Sequence, residues 1–134
     1  MTCLISLQKL INGFGKKNLN LKLVKKLRMP EELQYRQNPN FPNRYISPKK
    51  LFIYLQENFR DYISEVGRSY LQKPIYKMRL GNGTVKVLAW SQMHGNESNA
   101  THSMLDLLES FKFQPELKET LFSEITLDFI FMLN

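Results

Sequence analysis

Cysteine and histidine are scarce: Cys3 is the only cysteine, and His94 and His102 are the only histidines among 134 residues. A single cysteine excludes an internal disulfide. No apolar run approaches the roughly 18 residues needed to span a bilayer, so no membrane span is expected. The start, "MTCLISLQKLINGFGKK", has a short apolar run, no charge before it and no small-residue cleavage site. It does not read as a signal peptide, and a cytoplasmic location is the default expectation. Internal repeats and low-complexity segments are missing too. Acidic residues are few at the head. Residues 1–50 hold 11 Lys/Arg against Glu31 and Glu32, a net charge of +9, whereas residues 51–134 hold 8 Lys/Arg against 10 Asp/Glu, a net charge of −2. A basic head can meet nucleic acid or anionic lipid. Here its cations are not interleaved with stacking aromatics as single-strand binders prefer. Residues 1–42 therefore read as a solvated, loop-rich, basic lead-in, and nucleic acid is not the expected partner.

What is present suits one globular domain: hydrophobic residues make up 43% of the chain. An amphipathic helix is expected near residues 4–11. Prolines and asparagines over residues 30–48 predict an extended loop. Ser47-Pro48 can open a helix, with Ser47 as N-cap and Pro48 at its first position. Leu51, Tyr54, Leu55 and Phe59 follow at the 3.6-residue period and predict a helix over 48–59. Ile63, Val66 and Tyr70, then Ile75, Met78 and Leu80, are mixed with polar residues as in strands. Asn82-Gly83 predicts a hairpin turn between strands over 75–80 and 85–90. "GNG" is not read as a phosphate loop, because no Lys-Ser/Thr pair follows it and no helix opens there. "VKVLAW" is apolar enough for a buried central strand. Ala100, Met104, Leu107, Leu108 and Phe111 share one helical face, with Asn99 as the expected N-cap and Pro115 ending the run. "ITLDFIFML", residues 125–133, reads as another buried strand. The expected class is α/β, a mixed β-sheet with flanking helices: one antiparallel hairpin, then a strand–helix–strand crossover.

Within "SQMHGNESNATHSMLDLL", His94 and Glu97 lie three residues apart, just after an apolar strand and just before a helix. Sites in open α/β sheets gather beyond the carboxyl ends of strands. At a helix start two such residues can share a face, with Cβ atoms about 5–6 Å apart. Imidazole and carboxylate are both zinc donors, and Gly95 between them allows the backbone an unusual turn. Taken alone the H-x-x-E spacing is a weak motif, more often met by a surface histidine with an unrelated glutamate that favours the helix dipole. His102 falls more than two turns along the helix and reads as part of a solvated face.

The longer stretch "EVGRSYLQKPIYKMRLGNGTVKVLAWSQMHGNESNATHSMLDLL" resembles the start of the catalytic domain of the zinc carboxypeptidases. That family has a helix, a "GxS…xxPIY" strand pair, and a hydrophobic strand running into H-x-x-E. Gly67, Ser69, Pro74, Ile75 and Tyr76 fall in that order at that spacing. "NRYISPKKLFIYLQE" resembles the preceding helix, and "FIFMLN" the strand that leads into the family's Asn-Pro-Asp-Gly segment, with Asn134 as its first residue. The resemblance covers residues 43–134. It implies a zinc metallocarboxypeptidase with His94 and Glu97 as zinc (Zn2+) ligands and a peptide with a free C-terminus as substrate. The family completes its site with a second histidine. Zinc polarises the scissile carbonyl, a glutamate acts as base, and arginines bind the substrate carboxylate and the oxyanion.

The resemblance places that histidine, the base and the arginines after Asn134. Residues 43–134 are thus expected to form an incomplete zinc carboxypeptidase-like fold, inactive alone, with bare strand faces and edges and poor solubility. Asn96 stands where digestive-type members have an arginine. An amidohydrolase that removes an acyl group from an amino acid, whose motif starts with a similar H-G-x-E, is the neighbouring reading. A non-enzymatic basic binding module is the third.

Overall fold

The computed structural model describes residues 34–133. The chain divides into two units after Gln34, and the described residues from Tyr35 on belong to the second. Cys3, the expected helix near residues 4–11 and most of the basic head lie outside the described residues.

Residues 34–47 form no regular element, as the prolines and asparagines predict, yet they are anchored. Phe41 and Ile46 are buried, and Asn38 is fully buried. Helix α1 (Pro48–Phe59) follows, over the expected span. Ser47 is extended, and its hydroxyl accepts from Lys50 N at 3.5 Å, a long cap. Leu51, Tyr54 and Leu55 bury one face. A single 3-10 turn, Arg60–Tyr62, leads into strand β1 (Ile63–Arg68). Strands β2 (Pro74–Leu80) and β3 (Val85–Trp90) come next. Helix α2 (Asn99–Phe113), helix α3 (Pro115–Glu124) and strand β4 (Ile125–Phe131) complete the unit.

The sheet order is β1-β2-β4-β3. β1 and β4 are antiparallel to β2, and β3 is parallel to β4. The fold is therefore α/β with a mixed four-stranded sheet, and β3-α2-α3-β4 is the expected crossover. Two expectations about the sheet are corrected. The hairpin joins β1 to β2, where Gln72 N donates to the Ser69 carbonyl and Ser69 N to the Lys73 carbonyl, each at 2.9 Å. β2 and β3 are not neighbours, because β4 lies between them. Gly81, Asn82 and Gly83 instead carry the chain across the start of β4. There Asn82 N donates to the Phe122 carbonyl at 3.1 Å and Gly83 N to the Ile125 carbonyl at 3.2 Å. "VKVLAW" is an edge strand rather than a central one: Leu88 is 59% exposed and Trp90 46%. Its apolar character serves one partly buried side and one open side. α3 is a further addition. Pro115 does end α2, and it also occupies the first turn of a new helix, where its missing N–H costs nothing.

The helices cover one sheet face. Met78, Leu80, Phe129 and Phe131 pack there with Leu55, Leu105, Leu108 and Phe111, and Phe52 of α1 stacks on Tyr76 with ring centroids 4.4 Å apart. Among the described residues, β1 and β3 have no strand partner on their outer edges, and no helix is long and apolar enough to cross a membrane.

On the other face, Arg79 grips Asp128 through two hydrogen bonds of 2.7 and 2.6 Å, with Lys77 Nζ 3.5 Å from the same carboxylate. The Arg79 hydrogen bond holds the Asp128 carboxyl below its ordinary value of 3.8; partial burial opposes this and the charges of Lys77 and Arg79 add to it. A depressed folded-state pKa contributes stability that is present above 3.8 and lost as pH falls through the lower folded value. Asp128→Asn is accordingly expected to flatten the loss of stability below about pH 4. Urea midpoints of the two proteins at neutral and acid pH check this. Equal slopes would mean that this ion pair takes no part in acid unfolding.

Candidate metal centre

β3 and β4 run parallel, so their carboxyl ends lie side by side, and the chain leaving each is stitched to the other. Ser91 N donates to the Ile130 carbonyl at 3.0 Å, and the Ser91 carbonyl accepts from Leu133 N at 3.0 Å. The Ser91 hydroxyl accepts from Met132 N at 3.3 Å. From this seam the chain passes through Gln92 and Met93 into a four-residue turn. Glu97 N closes it by donating to the His94 carbonyl at 2.9 Å. Such a turn brings its first and last Cα atoms within about 7 Å. α2 begins two residues later.

The two residues singled out by sequence therefore sit at the ends of one turn, beyond the carboxyl end of β3. Both are exposed, and among the described residues neither side chain has a hydrogen-bond or ion-pair partner. The donor set suits zinc: a neutral imidazole and a carboxylate, each binding at about 2.0–2.2 Å. It would supply two of the four positions of a tetrahedral site. Among the described residues no group of three His, Cys, Asp or Glu forms that could hold an ion.

His102 is not such a third ligand, and it is half-buried rather than on a fully solvated face. Its Nε2 lies 3.3 Å from the Arg44 carbonyl, which can only accept, so this nitrogen carries the proton in that contact. Ser98 donates its hydroxyl to the same carbonyl at 2.5 Å. Ser98, rather than the expected Asn99, holds the cap position of α2, and it makes no side-chain cap bond.

A buried polar network that sequence reasoning missed lies under the turn. Gln92 Nε2 donates to the Gly95 carbonyl at 2.7 Å, and Gln92 Oε1 accepts from the Thr101 hydroxyl at 2.7 Å. The Thr101 and Ser91 hydroxyls are 2.8 Å apart. Ser91, Gln92 and Thr101 are all buried, Thr101 completely. Gln92 (φ 47°) and Met132 (φ 49°) are both left-handed without being glycine, a strain of about 1 kcal/mol each. The hydrogen bonds around Ser91 and Gln92 hold them there. Gly95, by contrast, is not left-handed. A Cβ there would meet nothing within 4 Å, so the expected backbone freedom of Gly95 is not used. The one signal in the sequence was the polar pair Ser91-Gln92, set directly behind an apolar strand.

Comparison with protein-family models, with curated proteins and with solved structures finds no match.

Proposed function

We propose that this chain is the N-terminal part of a zinc metallocarboxypeptidase-like catalytic domain, in which His94 and Glu97 hold zinc and the substrate is a peptide with a free C-terminus. The observation that carries the reading is the turn itself. His94 and Glu97, whose side chains are exposed and uncommitted, are the first and last residues of one four-residue turn, closed through the main chain, beyond the carboxyl end of β3. The specific carboxypeptidase-like fold belongs to the same proposal, supported by the strand–crossover–strand arrangement around that turn. Bound zinc supplies polarisation of a carbonyl and a water of lowered pKa. His94 and Glu97 do the holding, and no described residue is assigned as base or as carboxylate-binding arginine.

The 134-residue chain is expected to bind zinc weakly, with half a coordination shell from protein, and His94→Ala or Glu97→Gln should each weaken binding about tenfold or more. Titration with zinc by calorimetry reads this. Equal affinity in His94→Ala and the unaltered chain would sink the ligand assignment. The same chain should release no C-terminal residue from free peptides, with zinc or with chelator. A missing base costs about 10²–10⁴-fold, and each missing oxyanion donor about 10²–10³-fold. Zinc-dependent release that vanishes in His94→Ala would place a further ligand and a base in this chain.

A further inference from the structure

We propose that Gln92 is the positioning residue of the ligand turn, fixing the Gly95–Asn96 peptide so that His94 and Glu97 present their donors together; this rests on the zinc reading of that pair.

The turn does not fix itself. Gly and Asn at the two central positions of a turn both tolerate left-handed backbone, yet neither Gly95 nor Asn96 is left-handed here. The space beside Gly95 is open, so sterics do not decide the matter. Alternative turn types differ by a flip of the central peptide, the one that carries the Gly95 carbonyl. Gln92 Nε2 donates to that carbonyl at 2.7 Å. Only a donor can meet a carbonyl, so the Gly95 bond sets which way the Gln92 amide faces. Its oxygen then falls to Thr101, in the first turn of α2, at 2.7 Å. Thr101 contacts Ser91, and Ser91 is tied to the end of β4 through Ile130, Met132 and Leu133. One chain of contacts thus runs from the carboxyl end of β4 through α2 to the carbonyl between the two residues. Groups hydrogen-bonded directly to metal ligands are typically worth about 10–100-fold in metal affinity, and Gln92, which holds the peptide between the ligands, is set at the low end of that range.

Gln92→Met removes both bonds at nearly constant size. Gln92→Glu keeps the acceptor for Thr101 and removes only the donor to Gly95, and it serves if the first variant fails to fold. Thr101→Ser keeps the hydroxyl for Gln92 and should keep the Gly95, Asn96 and Glu97 amide signals where the unaltered chain has them, at a modest cost in stability from the lost buried methyl. The probes are zinc alone, by calorimetry, and amide NMR signals of Gly95, Asn96 and Glu97 in the zinc-free chain. Gln92→Met is expected to lose about tenfold in zinc affinity. Both Gln92 variants should shift or broaden the three amide signals before any zinc is added. Unchanged signals in a folded Gln92 variant would overturn the proposal. So would zinc affinity unchanged in Gln92→Met where His94→Ala weakens it, and the zinc reading would then stand without the clamp. If the turn loosens but His94→Ala binds zinc as well as the unaltered chain, the zinc reading is what fails.

Discussion

Gly83→Ala is expected to cost about 3 kcal/mol and to lower the unfolding midpoint by about 10 °C, as overpacking against unyielding backbone does. A Cβ at Gly83 would run into the main chain of Glu124 and Ile125. These are the residues where α3 ends and β4 begins. The approach cannot open easily, because Gly83 N donates to the Ile125 carbonyl at 3.2 Å and the Gly83 carbonyl accepts from the Thr126 hydroxyl and from Lys86 Nζ, both at 2.8 Å. The neighbouring Gly81 is constrained twice, by φ of 79° and by contact with Ile125 and Phe122. Gly67→Ala is the control. Nothing lies within 4 Å of its would-be Cβ, and a change within about 1 kcal/mol is expected there. Thermal and urea unfolding of both variants test this. If Gly83→Ala unfolds at the same midpoint as Gly67→Ala, the tight crossing is not a structural requirement.

The same glycines show how far the sequence could be read. Asn82-Gly83 between two apolar segments is the local signature of a hairpin, and the signature misleads here. Local pattern does not carry strand order. The crossover through α2 and α3 returns β4 between β2 and β3, and the glycines serve close approach of backbone to backbone instead of a tight turn. The apolar run "VKVLAW" misled for a related reason: an edge strand with a parallel neighbour can be as apolar as a central one. Helix α1 was legible because a cap residue, a proline at the first position and the 3.6-residue spacing agree with one another. β4 was legible from its β-branched and aromatic content, with its end at Phe131 rather than Leu133. The place of His94 and Glu97 was legible because it follows from where β3 stops. Their support was not. Ser91, Gln92 and Thr101 are ordinary polar residues in sequence, and only the fold brings them together beneath the turn.

Asp106→Ala is expected to destabilise the protein by about 2–4 kcal/mol, since hydrogen bonds to a charged group are worth about 1.5–3 kcal/mol each and part of that is returned by no longer burying a carboxylate. Asp106 lies on the buried side of α2. Its Oδ1 accepts from Asn38 N at 2.8 Å and its Oδ2 from the Tyr35 hydroxyl at 2.6 Å. Asn38 is where the damage concentrates. It is fully buried, so its N–H has no water to turn to. It also joins three parts of the unit: its Nδ2 donates to the Tyr54 hydroxyl of α1 at 2.8 Å, and its Oδ1 accepts from Asn40 N at 3.0 Å. The bond from Arg36 N to the Ser110 hydroxyl, 2.9 Å, does not involve the Asp106 side chain and should survive. Asp106→Asn is the discriminating partner. It keeps an oxygen for Asn38 N and turns an NH₂ toward the Tyr35 hydroxyl, which can rotate to accept, so its cost should be about 1 kcal/mol. Urea unfolding gives the two costs, and amide exchange at Asn38 locates them, with protection lost in Asp106→Ala and largely kept in Asp106→Asn. Equal destabilisation by the two variants would mean that the buried charge, rather than the bond to Asn38, is what holds residues 35–41 against α2.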